Sequence, residues 1–295
     1  MQDFLEKRIR DEYDPDTASR ILEGFKQESR TCLRVNRLKS NCQDISRDLN
    51  DAGVEFTRVS WYEDAFVLEA NTEDRVRALP LYEQGLVYLQ NLSSMIPPLL
   101  LDPQKEENIL DMAAAPGGKT TQMAAMTDNL AMITACERNT GRAERLKHNL
   151  EVQNARRVTV MTKDARNLES FFRFDRILLD APCSGSGTVT PFTKGTFSEE
   201  NLKKTGKLQR EMLEKALGML PSGHDLVYST CSILKEENER VIEKYVKNGM
   251  VSVVPFDREQ FAALPLLPAD IEGALCICPT DTYEGFFAAR LRNNE

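Results

Sequence analysis

Between residues 108 and 254 short apolar runs alternate with segments of helical periodicity, and few folds accept that order. Residues 108–112 (NILDM), 130–137 (LAMITACE), 157–162 (RVTVMT), 174–180 (FDRILLD), 224–230 (HDLVYST) and 250–254 (MVSVV) read as strands. Residues 119–127, 141–154, 198–220 and 235–248 read as helices. The third of these has Ser198 as its N-cap, with Glu199 and Glu200 in its first turn. GFFAARL (285–291) closes the pattern. Strands separated by helices predict an α/β fold whose mostly parallel sheet is covered on both faces. Ligands of such sheets sit at the carboxyl ends of the strands.

Residues 1–90 read differently. A helix over 18–27, a strand over 31–36 (TCLRVN), a polar helix over 42–52 and strands over 54–61 and 65–70 predict a small α+β sandwich. The predicted domains are therefore 1–90 and 91–295, which suits a chain of 295 residues. No apolar run approaches the ~20 residues of a membrane helix, and the charged MQDFLEKRIRDEYD lacks the core of a signal peptide. A cytoplasmic monomer without membrane attachment is the expectation. The seven cysteines are scattered with no CxxC pair, and the two histidines, His148 and His224, lie in a helix and a turn, so no metal site is expected. Cys276 and Cys278 fall on one face of a strand and read as small buried residues. The net charge of -8 argues against a basic nucleic-acid footprint. Arg30, Arg34, Arg37 and Lys39 are nevertheless dense in one stretch. They read as a solvated face or, alternatively, as a phosphate-contacting patch.

The unusual residues lie at strand ends. DMAAAPGGKTT (111–121) follows the first strand, and its small residues let backbone approach a ligand. It is not a phosphate loop, because Ala113 stands where that motif needs glycine, and it is not a GxGxxG fingerprint. Glu137 ends the second strand, where an acid can accept both hydroxyls of a ribose. Asp164 follows the third strand, where an acid can accept from the amine of adenine. Each alone would pass for a surface acid. Together they describe a nucleoside site without phosphate clamps, which points to S-adenosylmethionine. DAPCSGSGT (180–188) and YSTCSILKEENE (228–239) follow the next two strands, each with a cysteine. Neighbouring strand ends lie ~5 Å apart, so Cys183 and Cys231 are expected to face one pocket. A thiolate added to carbon 6 of a pyrimidine makes carbon 5 nucleophilic enough to take a methyl group. One cysteine would add, and the other would serve as acid or base in release.

These motifs resemble those of the RsmB/NOP/Sun family of RNA cytosine-5 methyltransferases. The likeness runs from about Gln90 to Leu291 through QNLSSMIP, LDMAAAPGGKTTQ, DAPCSGSGT, YSTCS with EENE, and EGFFAARL, and continues more weakly upstream. It implies a class I S-adenosylmethionine-dependent methyltransferase, with a Rossmann-like seven-stranded sheet and a small N-terminal RNA-binding domain. It implies that Ala113, Ala114, Ala115, Pro116, Gly117, Gly118 and Lys119 wrap the methionine part of the donor, that Glu137 holds its ribose and that Asp164 holds its adenine. Arg142 fits the family pattern as part of the donor site or as a support for its loop. Asp180 would touch both the target cytosine and the neighbourhood of the sulfonium. The family's nucleophile is the TC cysteine, here Cys231, with Cys183 assisting release; DNA cytosine-5 methyltransferases instead attack from a PC motif, which would select Cys183. Lys119 would favour a thiolate, relay a proton or simply contact a carbonyl. The implied substrate is ribosomal RNA, tilted toward the small subunit, or transfer RNA, and a catalytically silent assembly factor is the non-enzymatic alternative. Asp281 stands where members often carry histidine, which puts one RNA contact in question.

Overall fold

A computed structural model describes residues 2–190, 193 and 197–295. Helices α1 (Gln2–Glu12) and α2 (Pro15–Gly24) open the chain. The Asp14 carboxylate accepts from the backbone N–H groups of Asp16 (3.1 Å) and Thr17 (3.0 Å), and Pro15 takes the first helical position, where its missing N–H costs nothing. The helix thus starts three residues before the expected Ala18. A four-stranded antiparallel sheet follows, in the order β2 (Phe56–Arg58), β3 (Ala65–Ala70), β1 (Arg30–Val35), β4 (Val87–Leu89). Helix α3 (Cys42–Asp51) and the short helices α4 (Glu73–Arg77) and α5 (Pro80–Glu83) complete this part. Leu33, Val35, Phe66 and Leu68 join Ile45 and Leu49 in a core of their own, whereas Cys32, Ala65 and Val67 pack with Trp61, Met95 and Ile96 on the far side. Strand β1 is therefore buried on both faces, as the period-2 alternation of side chains allows.

Helix α6 (Leu92–Leu101) is capped by Asn91, whose side chain accepts from Ser93 N at 2.9 Å. Pro97 and Pro98 lie inside it, which hides it from propensity reasoning. Burial of Leu92, Met95, Ile96, Leu100 and Leu101 opposes that cost, at roughly 1.5–3 kcal/mol for each fully buried apolar side chain.

The second sheet contains β5 (Asn108–Asp111), β6 (Met132–Cys136), β7 (Val158–Met161), β8 (Arg176–Asp180), β9 (Asp225–Thr230), β10 (Val251–Val254), β11 (Leu275–Ile277) and β12 (Phe286–Asn293). Its line is β10-β12-β9-β8-β5-β6-β7, with β11 beside β12. Strands β7, β6, β5, β8 and β9 are parallel. Strand β12 runs antiparallel between β9 and β10, so the expected seven-stranded sheet is present with one short strand added. The intervening helices are α7 (Gly118–Met126), α8 (Thr140–Val152), α9 (Glu199–Leu217) and α10 (Glu239–Lys247). Ser198 caps α9 as expected, accepting from Asn201 N at 3.2 Å. Leu110, Ile177, Leu179, Leu226, Tyr228 and Phe287 pack against α9 and α10, and also against Leu5, Ile9, Ala18 and Ile21 of α1 and α2. The first two helices thus contribute to the large core rather than to the small sheet. Ile109, Leu178, Val227 and Phe286 face the other way, toward α6 and α7.

The basic stretch joins these two parts: Arg34 is buried, while Arg30, Arg37 and Lys39 remain exposed. Arg34 is 1% exposed; its Nε donates to Gln90 Oε1 (3.0 Å) and its Nη2 to Thr121 Oγ1 (2.9 Å) and Gly118 O (3.3 Å). Arg30 pairs with Asp281 at 3.0 Å, Arg37 with Asp64 at 3.3 Å, and Lys39 Nζ donates to Val152 O at 3.0 Å. Cys276 and Cys278 are both buried, as expected of small packing residues.

Candidate active site at the ends of the parallel strands

The loop between β5 and α7 is anchored from three sides. Ala114 N donates to Cys136 O at 2.9 Å, Arg142 Nη2 to Ala115 O at 2.8 Å and Asn149 Nδ2 to Pro116 O at 2.8 Å. Gly117 has φ +114°, a backbone conformation other residues rarely adopt. Beneath the loop, Asp111 is buried and accepts from Thr120 Oγ1 at 2.7 Å. Burial pushes its carboxyl up to about 6, against the stabilising Thr120 hydrogen bond.

Glu137 and Asp164 reach the same cleft, which is walled by Met112, Ala113, Pro182, Leu208 and Met212. Glu137 is 5% exposed; its Oε1 accepts from Asn139 N at 2.8 Å and its Oε2 lies 3.4 Å from Arg142 Nε. Asp164 is gripped by Arg166, with Oδ2 2.7 Å from Nη2, and these hydrogen bonds hold its carboxyl below the usual range. Arg138, Arg142 and Lys163 line the same cleft, and its carboxylates, apolar walls and small-residue loop fit a nucleoside. Arg142 touches both the loop and Glu137, and so supports the loop.

Lys119, in the first turn of α7, donates to Ser94 Oγ and to Asp180 Oδ2, both at 2.7 Å, and lies 5.7 Å above the Phe286 ring. Burial disfavours its charge, but the carboxylates of Asp180 and Asp111 and the thiol of Cys231 outweigh that and leave its pKa raised. Its partners are a carboxylate and a hydroxyl, not a carbonyl. Asp180 Oδ1 accepts from Ser229 Oγ at 2.7 Å, which ties the end of β8 to β9.

Cys183 Sγ and Cys231 Sγ are 3.3 Å apart, so the two strand-end thiols are in contact. Their loops are stitched together. Gly187 N donates to Cys231 O at 3.0 Å, and the hydroxyls of Ser186 and Ser232 meet at 2.7 Å. A Cβ on Gly187 would come within 1.9 Å of Gly285 O, so that crossing needs glycine. The Cys183 thiol is held well above its usual value, first by the hydrogen bond shared with Cys231, then by burial and by the charges of Cys231 and Glu237.

Sequence reasoning assigned no role to Ser94, Ser229, Glu237, Asn238 or Glu284, although all five stand in motifs singled out above. Glu284 is largely enclosed. Burial raises its carboxyl despite the field of Lys119. Among the described residues no cluster of three or more metal-binding side chains occurs, and no helix is long and apolar enough to cross a membrane.

A five-strand parallel sheet closed by an antiparallel strand, with a small-residue loop after its first strand and acids after the next two, defines a class I methyltransferase fold. The family model described as 16S rRNA methyltransferase RsmB/F matches residues 98–292, and the RsmF/B-like ferredoxin-like domain matches residues 2–73. The chain belongs to the RsmB/F methyltransferase family. Ribosomal RNA small subunit methyltransferase F of Shewanella loihica is 34% identical over 305 residues, covering 98% of this chain and 62% of that protein. The 28S rRNA (cytosine(4447)-C(5))-methyltransferase of Homo sapiens is 34% identical over 260 residues, covering 86% of this chain and 32% of that protein. A solved methyltransferase homolog protein from Pyrococcus horikoshii superposes with a TM-score of 0.83 at 35% identity, covering 94% of this chain and 91% of that one. The chain thus spans less than two thirds of the length of the curated relatives it matches.

Proposed function

We propose that the chain methylates carbon 5 of a cytosine in structured RNA, with small-subunit ribosomal RNA as its substrate. The single observation that carries this reading is the pair of free thiols 3.3 Å apart beside the Lys119–Asp180 ion pair. Two thiols next to a methyl-donor cleft suit pyrimidine carbon-5 chemistry, in which one thiol adds to the ring and the other assists release. The names of the relatives support ribosomal RNA and carbon 5 of cytosine.

Residues 113–119, Glu137, Arg142 and Asp164 would hold S-adenosylmethionine, which would supply an electrophilic methyl group. The chain's own residues do the remaining work. Cys231, as thiolate, adds to carbon 6 of an unpaired or flipped base and thereby enriches carbon 5 in electrons. Lys119 places a positive charge near that thiol and fixes Asp180, which orients the base. After carbon 5 is substituted it loses its proton, the carbon 6–sulfur bond breaks and Cys231 leaves as thiolate. Cys183, within contact distance of Cys231, is the acid–base partner for this release.

The test is a bisulfite map of RNA from cells with and without the protein. Loss of one protected cytosine in small-subunit ribosomal RNA is the expected result. A lost site confined to transfer RNA would move the substrate assignment, and no change in any RNA would favour an assembly factor.

A further inference from the structure

The sequence KEENE supplies two adjacent, fully buried polar residues that the proposed chemistry leaves unused. Glu237 and Asn238 are each 0% exposed. Glu237 belongs to a 3-10 turn (Lys235–Glu237) that follows the Cys231 loop. Its Oε1 accepts from Ser184 N and from Thr205 Oγ1, both at 2.7 Å, and its Oε2 accepts from Ser184 Oγ at 2.6 Å. Ser184 is the residue after Cys183. Asn238 faces the other loop: its Oδ1 accepts from Thr230 Oγ1 at 2.5 Å and its Nδ2 donates to Ser232 O at 2.9 Å. Those are the two residues flanking Cys231. No cation lies within salt-bridge distance of Glu237 among the described residues, and its carboxyl oxygens accept from N–H and O–H donors alone. Burying a polar group is costly unless its hydrogen bonds are made, and here those bonds hold a loop in place.

We propose that Glu237 and Asn238 are the positioning residues of the thiol pair: one turn grips the Cys183 loop with its carboxylate and the Cys231 loop with its carboxamide. Two loops that end different strands are thereby set by neighbours in sequence. The distance between the sulfurs then depends on one short turn rather than on the separate flexibility of each loop. That the spacing serves methyl transfer rests on the function proposed above; that the turn sets it does not.

Diamide supplies a test free of turnover. It takes two electrons and two protons from a close thiol pair, forming the S–S bond while it becomes a hydrazine. The rate of the Cys183–Cys231 disulfide is read by peptide mass spectrometry in the full chain. The wild-type protein is expected to form it readily. Glu237→Ala and Asn238→Ala are expected to slow it at least ~10-fold, and Glu237→Gln, which keeps the shape and part of the hydrogen bonding, to stay within ~3-fold. In the methylation assay Asn238→Ala lowers kcat on the order of 100-fold while the KM for RNA stays within ~3-fold, because misplacement by about 1 Å has that scale of effect. Thr230→Val, which deletes only the hydroxyl that Asn238 accepts, keeps the test available should the alanine variants fail to melt cooperatively; it is expected to slow bridging ~3-fold. Bridging at the wild-type rate in folded variants, or full turnover in Asn238→Ala, overturns the positioning role. A wild-type chain that bridges but methylates no RNA overturns the proposed function and leaves the positioning claim standing.

Discussion

The loops that end β8 and β9 carry one cysteine each, and their sulfurs touch, yet their surroundings are opposite. Cys183 sits in a glycine-rich loop whose next residue is held by the Glu237 carboxylate. Cys231 sits in a plainer loop and acts on the Lys119 ammonium, which is itself bonded to Asp180. A nearby carboxylate holds the proton on a thiol, and a nearby ammonium favours its loss. In a contacting pair only one thiol needs to ionise, and the other then donates its S–H to the thiolate. In the mechanism proposed above, neighbouring charges rather than the richness of a motif would distinguish the two thiols.

The largest expected effect tests the attacking side. Cys231→Ala should lower methylation by ~10⁴ or more and leave no covalent RNA adduct, as measured by methyl incorporation and denaturing gels. Next, Cys183→Ala should lower steady-state turnover on the order of 10²–10⁴ while a denaturant-stable protein–RNA adduct accumulates. Equal loss without an adduct in both variants would erase the distinction. A third test reads the charges directly. Because the Cys183 pKa is raised, its reactive thiolate appears only as pH climbs past the usual thiol range near 8.5. Iodoacetamide at pH 8 should therefore label Cys231 before Cys183. Cys231→Ser removes the leading cause of the shift, so labelling of Cys183 should then begin at lower pH. Labelling of Cys183 first in the wild-type protein would break the comparison.

The smallest effects lie away from the thiols and should leave their order unchanged. Arg34→Met strands Gln90 and Thr121 and should cost about 1–3 kcal/mol, read as a melting temperature lower by several degrees. Arg30→Ala removes an ion pair whose side chains are 44% and 43% exposed and should cost less than about 1 kcal/mol.

Much of this arrangement was legible in the sequence. Apolar runs separated by helical segments placed β5 to β9 within a few residues, and the Cys183–Cys231 approach followed from adjacent strand ends. What escaped did so for physical reasons. Helix α6 holds two prolines, and its stability comes from burial that no local propensity reports. Arg34 looks like any exposed arginine until β1 is known to be covered on both faces, whereupon a basic stretch becomes the joint between two parts of the molecule. Glu237 and Asn238 stood in a motif quoted for its likeness, but their partners lie at residues 184, 205, 230 and 232, and only the fold brings those together. That Glu137 and Asp164 share one cleft was readable from strand order, whereas the Arg166 grip on Asp164 was not, because side-chain pairing within a loop leaves no periodic trace.

The central claim is that Cys231 attacks. Small-subunit ribosomal RNA transcribed with 5-fluorocytidine carries fluorine where carbon 5 must lose its proton, so release is blocked after addition. Wild-type protein incubated with that RNA and methyl donor should be trapped, and digestion followed by mass spectrometry should place the modified nucleotide on the peptide containing Cys231. A nucleotide on the Cys183 peptide, or methylated product without any trapped protein, would contradict the account.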